Sequence, residues 1–96
     1  MKIADIIWLT RFVDKIERKH NVSTDEVEQV FENHVLAQLI ERGDVIGEHL
    51  YRAIGQTYAG RYLTIFFIYK GQGGALIISA RDANKRERKS YGKHKK

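Results

Sequence analysis

Arg81 is the residue whose type and position first suggest chemistry. It stands where a predicted strand, residues 75–80, meets a predicted helix, residues 83–91. A guanidinium at such a junction can bind a phosphate through two parallel hydrogen bonds, and it stays charged at physiological pH. The alternative is a structural ion pair that fixes the last helix to the rest of the fold, and the sequence leaves both interpretations open.

The predicted last helix carries two further candidates on one face. Ala83, Glu87 and Tyr91 stand at positions i, i+4 and i+8, so they line up along the helix. If Ala83 packs on the sheet, Glu87 points towards the arginines, where it is either a general base or the anchor of an Arg–Glu bridge. We favour the anchor, because a carboxylate paired with arginine is a weak base. The ring of Tyr91 can stack on a nucleobase, its hydroxyl can donate a hydrogen bond, or the side chain can simply pack at the end of the helix.

Arg61 and His20 are candidates from other parts of the chain. Arg61 opens a long predicted strand beside Gly60 and can hold a phosphate, although an arginine at an exposed strand end is common. If the turns between the strands are short, the hairpins bring Arg52, Arg61, Arg81 and the last helix into one neighbourhood. Whether Arg61 shares a face with Arg81 depends on the register set by the loop at residues 71–74, since a one-residue slip reverses every side chain. His20 can transfer protons near neutral pH, but a histidine that closes an amphipathic helix is more often a cap or a core contact.

We predict no metal and no cofactor. The four histidines show no spacing typical of metal ligands, and the absence of cysteine excludes thiolate zinc sites and disulfides. The glycine-rich segment at residues 71–74 is not a nucleotide-binding loop, because a strand and not a helix is predicted to follow it.

Positive charge is concentrated at the end of the chain. The net charge is +5, but residues 81–96 contribute eight Lys or Arg against two acids, whereas the first eighty residues sum to −1. A basic end of this kind can bind phosphates without reading sequence. The residues expected to do so are Lys85, Arg86, Arg88 and Lys89. A charged tail that only improves solubility is the alternative.

Hydrophobic periodicity and turn residues predict an α+β fold in a single domain, residues 1–96. A short strand at residues 6–9 precedes two helices, of which the first ends near Asn21 and the second begins with Ser23 and Glu26 as a capping box. Four strands follow, at residues 35–41, 48–56, 61–70 and 75–80, as a mostly antiparallel meander. The last helix, with Asp82 as its N-cap, completes the order β-α-α-β-β-β-β-α, and we expect a disordered tail at residues 92–96.

The apolar segments differ from those of exported or membrane proteins. Residues 1–5 lack the basic and apolar regions of a signal peptide. The longest apolar stretch, residues 63–69, is far shorter than the ~18 residues of a membrane span. We therefore expect a cytoplasmic protein that does not bind membranes.

Motifs along nearly the whole chain match one family pattern. Trp8 is followed by Lys19-His20-Asn21-Val22, and later Gly47-Glu48 and Ile54-Gly55-Gln56-Thr57 are followed by Gly60-Arg61-Tyr62-Leu63. The most specific motif is Ile78-Ser79-Ala80-Arg81-Asp82-Ala83, followed by Arg86-Glu87-Arg88 and Tyr91. In order and spacing these motifs resemble the BrnT family. The resemblance implies a compact RelE-like α+β fold, ribonuclease activity, and neutralisation by a BrnA-like antitoxin, with which the toxin can form an oligomer.

The resemblance also gives the candidate residues their roles in RNA cleavage. Cleavage without a metal needs a proton removed from the 2′-hydroxyl, charge stabilised at the phosphate, and a proton returned to the 5′-oxygen. Arg81 and Arg61 would stabilise the phosphate. Glu87, His20 or Tyr91 would position groups or transfer protons.

The chain departs from the family pattern in two places. Family members often carry Glu-Arg where this chain has His49-Leu50, and often an arginine just after the strand that ends here in Tyr69-Lys70. Arg52 and Lys70 are the candidates to supply the missing charges in RNA binding. Two alternatives to an active enzyme therefore stay open: a non-enzymatic module that binds nucleic acid or a partner, and a catalytically degenerate toxin homologue that still binds an antitoxin.

Overall fold

The computed structural model describes residues 2–45 and 48–95, which form five strands and three helices. Along the chain these are β1 (Asp5–Ile7), α1 (Thr10–His20), α2 (Thr24–Glu32), β2 (Leu36–Glu41), β3 (Leu50–Gln56), β4 (Tyr62–Gly71), β5 (Gly74–Asp82) and α3 (Lys85–Lys95). The predicted elements occur in the predicted order, so the α+β class is confirmed. Within the described ranges, no helix is long and apolar enough to cross a membrane.

The five strands form one mixed sheet in the order β1-β5-β4-β3-β2. Strands β2 to β5 are the predicted antiparallel meander, but β1 joins the same sheet and runs parallel to β5, with Ile6 opposite Ala75. The predicted four-stranded meander is therefore part of a larger, five-stranded mixed sheet. The backbone N–H groups of Ala4 and Asp5 both donate to the carbonyl of Gly73, which attaches this three-residue strand to the sheet.

The two N-terminal helices end and begin as their cap residues predict. Asn21 closes α1 in the left-handed region, at φ 52°, and its N–H donates to the carbonyl of Glu17. Ser23 and Glu26 form the capping box of α2. The Ser23 hydroxyl accepts from the Glu26 N–H at 3.1 Å, and the Glu26 carboxylate accepts from the Ser23 N–H at 3.0 Å.

The hydrophobic core lies between the sheet and the helices α1 and α2. It consists of Ile16, Val22, Val27, Val30, Ala53, Leu63, Ile65, Phe67, Ala75, Ile77 and Ala80. Because strand side chains alternate, the β4 residues between these buried ones point to the opposite face. We call this opposite side of the sheet the open face. Among the described elements only α3 packs near it, against β2 and β3.

The last helix begins two residues later than predicted. Asp82 is the last residue of β5, and Asn84 is the cap: its Oδ1 accepts from the Glu87 N–H, and the Glu87 carboxylate accepts from the Asn84 N–H, both at 2.8 Å. The N-cap assignment to Asp82 is therefore wrong, because Asn84 has the capping-box spacing to Glu87. The helix continues to Lys95, so residues 92–95 of the expected tail are helical.

A tight turn of two residues, Gln72 and Gly73, joins β4 to β5 within the segment 71–74 that was predicted as a loop. Gln72 and Gly73 have φ angles of 50° and 82°, and two positive values are what a type I′ hairpin requires. A Cβ atom on Gly73 would also lie 2.9 Å from the Cβ of Ala4. Glycine is thus needed here both for the turn and for the close approach of the segment before β1.

Candidate functional site

A bulge in β5 decides which arginines share a face of the sheet. Ile77 and Ser79 pair with adjacent residues of β4, so Ile78 between them is an extra residue. An extra residue reverses the side-chain alternation beyond it. Ile77 therefore faces the core, whereas Arg81, four residues further on, lies on the open face.

Arg52 and Thr64 lie on the open face with Arg81. Thr64 of β4 pairs with Arg81 on one side and with Ile54 of β3 on the other, and Arg52 is one row away along β3. Glu87 of α3 contacts this group of side chains. The short hairpins thus bring Arg52, Arg81 and the last helix into one neighbourhood, as predicted.

Glu87 is the centre of the group and is 5% exposed. Its Oε1 accepts hydrogen bonds from Arg81 Nη1 at 2.8 Å, the Asn84 N–H at 2.8 Å and Thr64 Oγ1 at 2.9 Å. Its Oε2 accepts from Arg81 Nη2 at 2.9 Å and lies 3.7 Å from Arg52 Nη1. Burial opposes ionisation, but the hydrogen bonds outweigh it and hold the pKa of Glu87 at about 2. This geometry supports the anchoring interpretation, since such a carboxylate is a poor proton acceptor at neutral pH.

Arg81 is held in place but keeps an accessible edge. Besides its two bonds to Glu87, its Nη1 donates to the carbonyl of Asp82 at 3.1 Å. Its guanidinium carbon lies 5.5 Å from the centre of the Phe66 ring, within the range of a cation–π contact. The hydrogen bonds to Glu87 raise the pKa of Arg81, and 33% of the side chain is exposed. A permanent positive charge is thus presented to solvent in a fixed orientation.

Arg52 is less constrained than Arg81. Its Nη2 donates to Gln38 Oε1 at 2.5 Å, and its Nη1 makes the long contact with Glu87. Its Nε is buried and has no hydrogen-bond partner among the described residues. A buried donor left without an acceptor costs roughly 1–3 kcal/mol. Arg52 Nη1 has only the long contact with Glu87, and 29% of the Arg52 side chain is exposed, so Nη1 is the nitrogen that a ligand can reach.

These side chains line an open pocket of about 510 Å³ beside the first turn of α3. The lining consists of Arg52, Arg81, Asn84, Arg86, Glu87 and Ser90. Three guanidiniums against one carboxylate give the pocket a net positive charge, and the N-terminal end of α3 adds its helix dipole. This combination suits an oxyanion such as a phosphate group.

Arg61 lies on the core side of the sheet, outside this pocket. It donates to Asp82 at 2.8 Å, to Glu26 at 3.1 Å and to the carbonyl of His20 at 3.2 Å. The hydrogen bond with Asp82 raises the pKa of Arg61 and lowers that of Asp82. The predicted neighbourhood of Arg61 and Arg81 is not observed, because the β5 bulge turns Arg81 to the other face. In this structure Arg61 ties the α1–α2 turn to β4 and β5.

His20 and Tyr91 also lie outside the pocket lining. His20 is the last residue of α1, which packs against the core face of the sheet. Tyr91 is buried in α3, where its hydroxyl donates to the carbonyl of His34 at 2.7 Å and its ring meets that of Tyr62 edge-on. Burial raises the pKa of Tyr91. The contacts of Tyr91 favour a packing role, and neither residue lines the pocket, where it could transfer a proton.

The predicted RNA-binding residues divide between the pocket and its surroundings. Arg52 and Arg86 line the pocket. A neighbouring open groove of about 460 Å³ is lined by Tyr62, Lys85, Arg88 and Lys89. Lys70 lies at the other end of β4, where its ammonium pairs with the carboxylate of Glu48 at 2.6 Å. Five of the six cations are thus close to α3, and Lys70 is not.

Four residues at the pocket were missed in the sequence: Asn84 and Ser90 line it, Thr64 contacts Glu87, and Phe66 contacts Arg81. Asn84 had a usable signal, the capping-box spacing to Glu87. Thr64 and Phe66 alternate with buried residues of β4, which places them on the open face. Their proximity to the arginines follows only from the strand register, and the sequence does not specify the bulge that sets it.

Comparison with known proteins identifies the family. The profile described as ribonuclease toxin, BrnT, of type II toxin–antitoxin system matches residues 13–87. The chain belongs to the BrnT family. As a BrnT protein it is a ribonuclease toxin of a toxin–antitoxin pair, so the family implies an antitoxin partner. The matched region includes Arg52, Arg81 and Glu87 of the pocket.

The fold is also that of a solved BrnT protein. The 1.1 Å crystal structure of the Brucella abortus ribonuclease toxin BrnT is similar, with a TM-score of 0.60 at 20% sequence identity. The match covers 84% of this chain and 97% of that one. At this identity the similarity concerns the fold. Among curated proteins, no sequence matches the chain significantly.

Proposed function

We propose that this BrnT protein is an endoribonuclease that cleaves RNA in the pocket between β3, β5 and α3, without a metal ion. The observation that carries the proposal is that Arg52 and Arg81 both line one open pocket. Two hydrogen bonds to the Glu87 carboxylate hold the Arg81 guanidinium in position. Glu87 is the one carboxylate in the described lining. Both its oxygens already accept hydrogen bonds, which makes it a poor ligand for a metal.

The proposed reaction is an attack of the ribose 2′-oxygen on the adjacent phosphorus. The new 2′-O–P bond forms as the bond from phosphorus to the 5′-oxygen breaks, which leaves a 2′,3′-cyclic phosphate and a 5′-hydroxyl. Negative charge grows on the non-bridging oxygens in the transition state. Arg52 Nη1 and the exposed part of the Arg81 guanidinium would donate to those oxygens, and one such donor typically contributes ~10²–10³ in rate.

Proton transfer is assigned to solvent in this proposal. The described lining contains no histidine, and Glu87 has too low a pKa to serve as a base. Hydroxide would take the 2′-proton, and water would return a proton to the 5′-oxygen. The cleavage rate should then rise continuously with pH from about 6 to about 9, and not follow the bell-shaped profile of a paired acid and base.

The charge of the pocket indicates how the partners would bind. The cations of the pocket and of the neighbouring groove would hold an RNA strand by its phosphates. A BrnA-like antitoxin is the proposed protein partner, and it would place acidic side chains over the same cations in a toxin–antitoxin oligomer. We further propose a cytoplasmic location and a RelE-like fold type, which the antiparallel meander beside a terminal helix supports.

The test is cleavage of RNA by the purified protein in the presence of EDTA. The wild type should give fragments with 5′-hydroxyl and cyclic phosphate ends, and Arg81→Ala should cleave at least ~100-fold more slowly. Arg18→Ala, which removes an exposed arginine from α1, is the matched control and should cleave like the wild type. Equal rates for folded Arg81→Ala and wild type, or cleavage only after a metal is added, would contradict the proposal.

A further inference from the structure

Phe66 stands on the open face without a role in the core. Its neighbours Ile65 and Phe67 are fully buried under the helices, whereas Phe66 points the other way and is partly exposed. The buried core and the residues packed against it do not include Phe66. Packing therefore gives little reason for a large aromatic ring at this position.

Phe66 lies beside Arg52 and Arg81, next to the residues that line the pocket. In the sheet, Phe66 pairs directly with Arg52 of β3, and its partner on the other side is Ser79 of β5. Arg81 lies 5.5 Å from the ring centre. Ser79 is small, so no bulky side chain at that pairing position covers the ring.

We propose that Phe66 is the stacking surface for an unpaired nucleobase next to the phosphate that Arg52 and Arg81 bind. This inference rests on the proposed function and adds a base-binding position to it. A nucleotide offers an anion and a flat apolar ring together, and the pocket offers two cations beside a partly exposed aromatic ring. Stacking on an aromatic side chain is how single-stranded nucleic acids are bound without hydrogen-bond readout.

The stacking role favours single-stranded over double-stranded RNA. In a duplex the bases are stacked on one another and cannot reach a side chain on a flat sheet. Every base has a flat face, so Phe66 would add affinity with little base preference. The enzyme should therefore cleave loops and unpaired segments with loose sequence requirements.

The first experiment measures binding of a short single-stranded RNA whose 2′-hydroxyls are methylated, so that it cannot be cleaved. Phe66→Leu should weaken binding roughly 5- to 100-fold, because leucine keeps an apolar side chain but loses the flat ring. Phe66→Tyr keeps the ring and should bind within about threefold of the wild type. Tyr58→Leu removes an aromatic ring that is 65% exposed and lines neither the pocket nor the neighbouring groove, so it is the matched control and should leave binding unchanged.

The second experiment compares this RNA with the same RNA carrying abasic sites. The wild type should prefer the RNA that has bases, and Phe66→Leu should lose most of that preference. If Phe66→Leu does not fold, the stacking role is still tested by two measurements: the binding of Phe66→Tyr, and the preference of the wild type for RNA with bases over abasic RNA. Stacking is refuted if folded Phe66→Leu binds like the wild type, or if the wild type binds both RNAs equally.

Other outcomes separate this inference from the proposed function. If Arg52→Ala and Arg81→Ala do not weaken RNA binding, the pocket itself is wrong. If those variants bind weakly while Phe66→Leu does not, only the stacking role is wrong. If Phe66→Leu binds RNA normally but escapes neutralisation by the antitoxin, the ring serves a protein contact, and the stacking proposal is overturned.

Discussion

Replacing Glu87 with glutamine removes the charge that holds the N-terminal end of α3 to the sheet. The folded protein keeps this carboxyl at a pKa of about 2, against an ordinary value of 4.5. That difference corresponds to roughly 3 kcal/mol of folding free energy. Because Arg81 is one-third exposed, water screens part of its interaction, so we expect Glu87→Gln to destabilise the protein by about 2–3 kcal/mol at pH 7.

The pH dependence gives the sign of this effect. The folded pKa lies below the unfolded one, so the stabilisation is complete above about pH 5 and is lost as the pH falls towards about 2. Glu26 and Asp82 also have lowered pKa values and add to the acid sensitivity of the wild type. The informative quantity is therefore the difference between wild type and Glu87→Gln, which should shrink progressively below pH 5.

Urea unfolding at a series of pH values measures this difference directly. Glu32→Gln removes an exposed carboxylate at the end of α2 and is the matched control, with an expected change within ~0.5 kcal/mol at every pH. Equal stabilities of Glu87→Gln and wild type at pH 7, or a difference that does not depend on pH, would refute the anchoring role of Glu87.

Three other substitutions separate phosphate binding from folding. Arg52→Ala should slow RNA cleavage ~10²–10³-fold, as initial rates would show, and an unchanged rate would exclude Arg52 from the mechanism. Arg61→Ala should cost about 1–2 kcal/mol in urea unfolding, because two carboxylates lose their partner, yet change the cleavage rate less than about threefold; a large rate loss in folded protein would return Arg61 to the site. Tyr91→Phe should cost about 1 kcal/mol and leave cleavage unchanged, whereas a marked loss of activity would indicate a proton-transfer role.

Much of the fold was predictable because the signals are local. The capping box of Ser23 with Glu26 and the left-handed Asn21 fix the boundary between the first two helices, and both follow from residue type and spacing. Alternating apolar residues placed the strands. By contrast, the pairing of β1 with β5 joins segments at opposite ends of the chain, and a three-residue strand has no periodicity that would indicate its partner.

The candidate site was predicted only where its signals are local in the sequence. Arg81 and Glu87 were found because a strand–helix junction and a helical spacing are local features. Arg61 was grouped with them in error, since the extra residue Ile78 shifts the alternation of β5 and sends Arg81 to the other face. Bulges depend on how two strands pair over their length, so the sequence of one strand does not specify them.

The helix start shows how two local signals can compete. Asp82 and Asn84 are both good N-cap residues, and only Asn84 has a glutamate three positions later. In the structure Asp82 remains in β5, where its carboxylate pairs with Arg61. The ion pair with Arg61 keeps Asp82 in the strand, and the capping-box spacing makes Asn84 the N-cap, so both contacts indicate the same helix start. A search of the sequence for a complete capping box would have found the correct N-cap.

The most direct test of the account is induced expression in bacterial cells without an antitoxin, with growth followed and total RNA separated on a gel. The wild type and Arg61→Ala should both arrest growth and fragment RNA, because the pocket is intact in each. Arg52→Ala/Arg81→Ala should do neither, although it is expressed and folded. If that double variant still arrests growth and cuts RNA, or if the folded wild type does neither, the pocket on the open face is not the ribonuclease site.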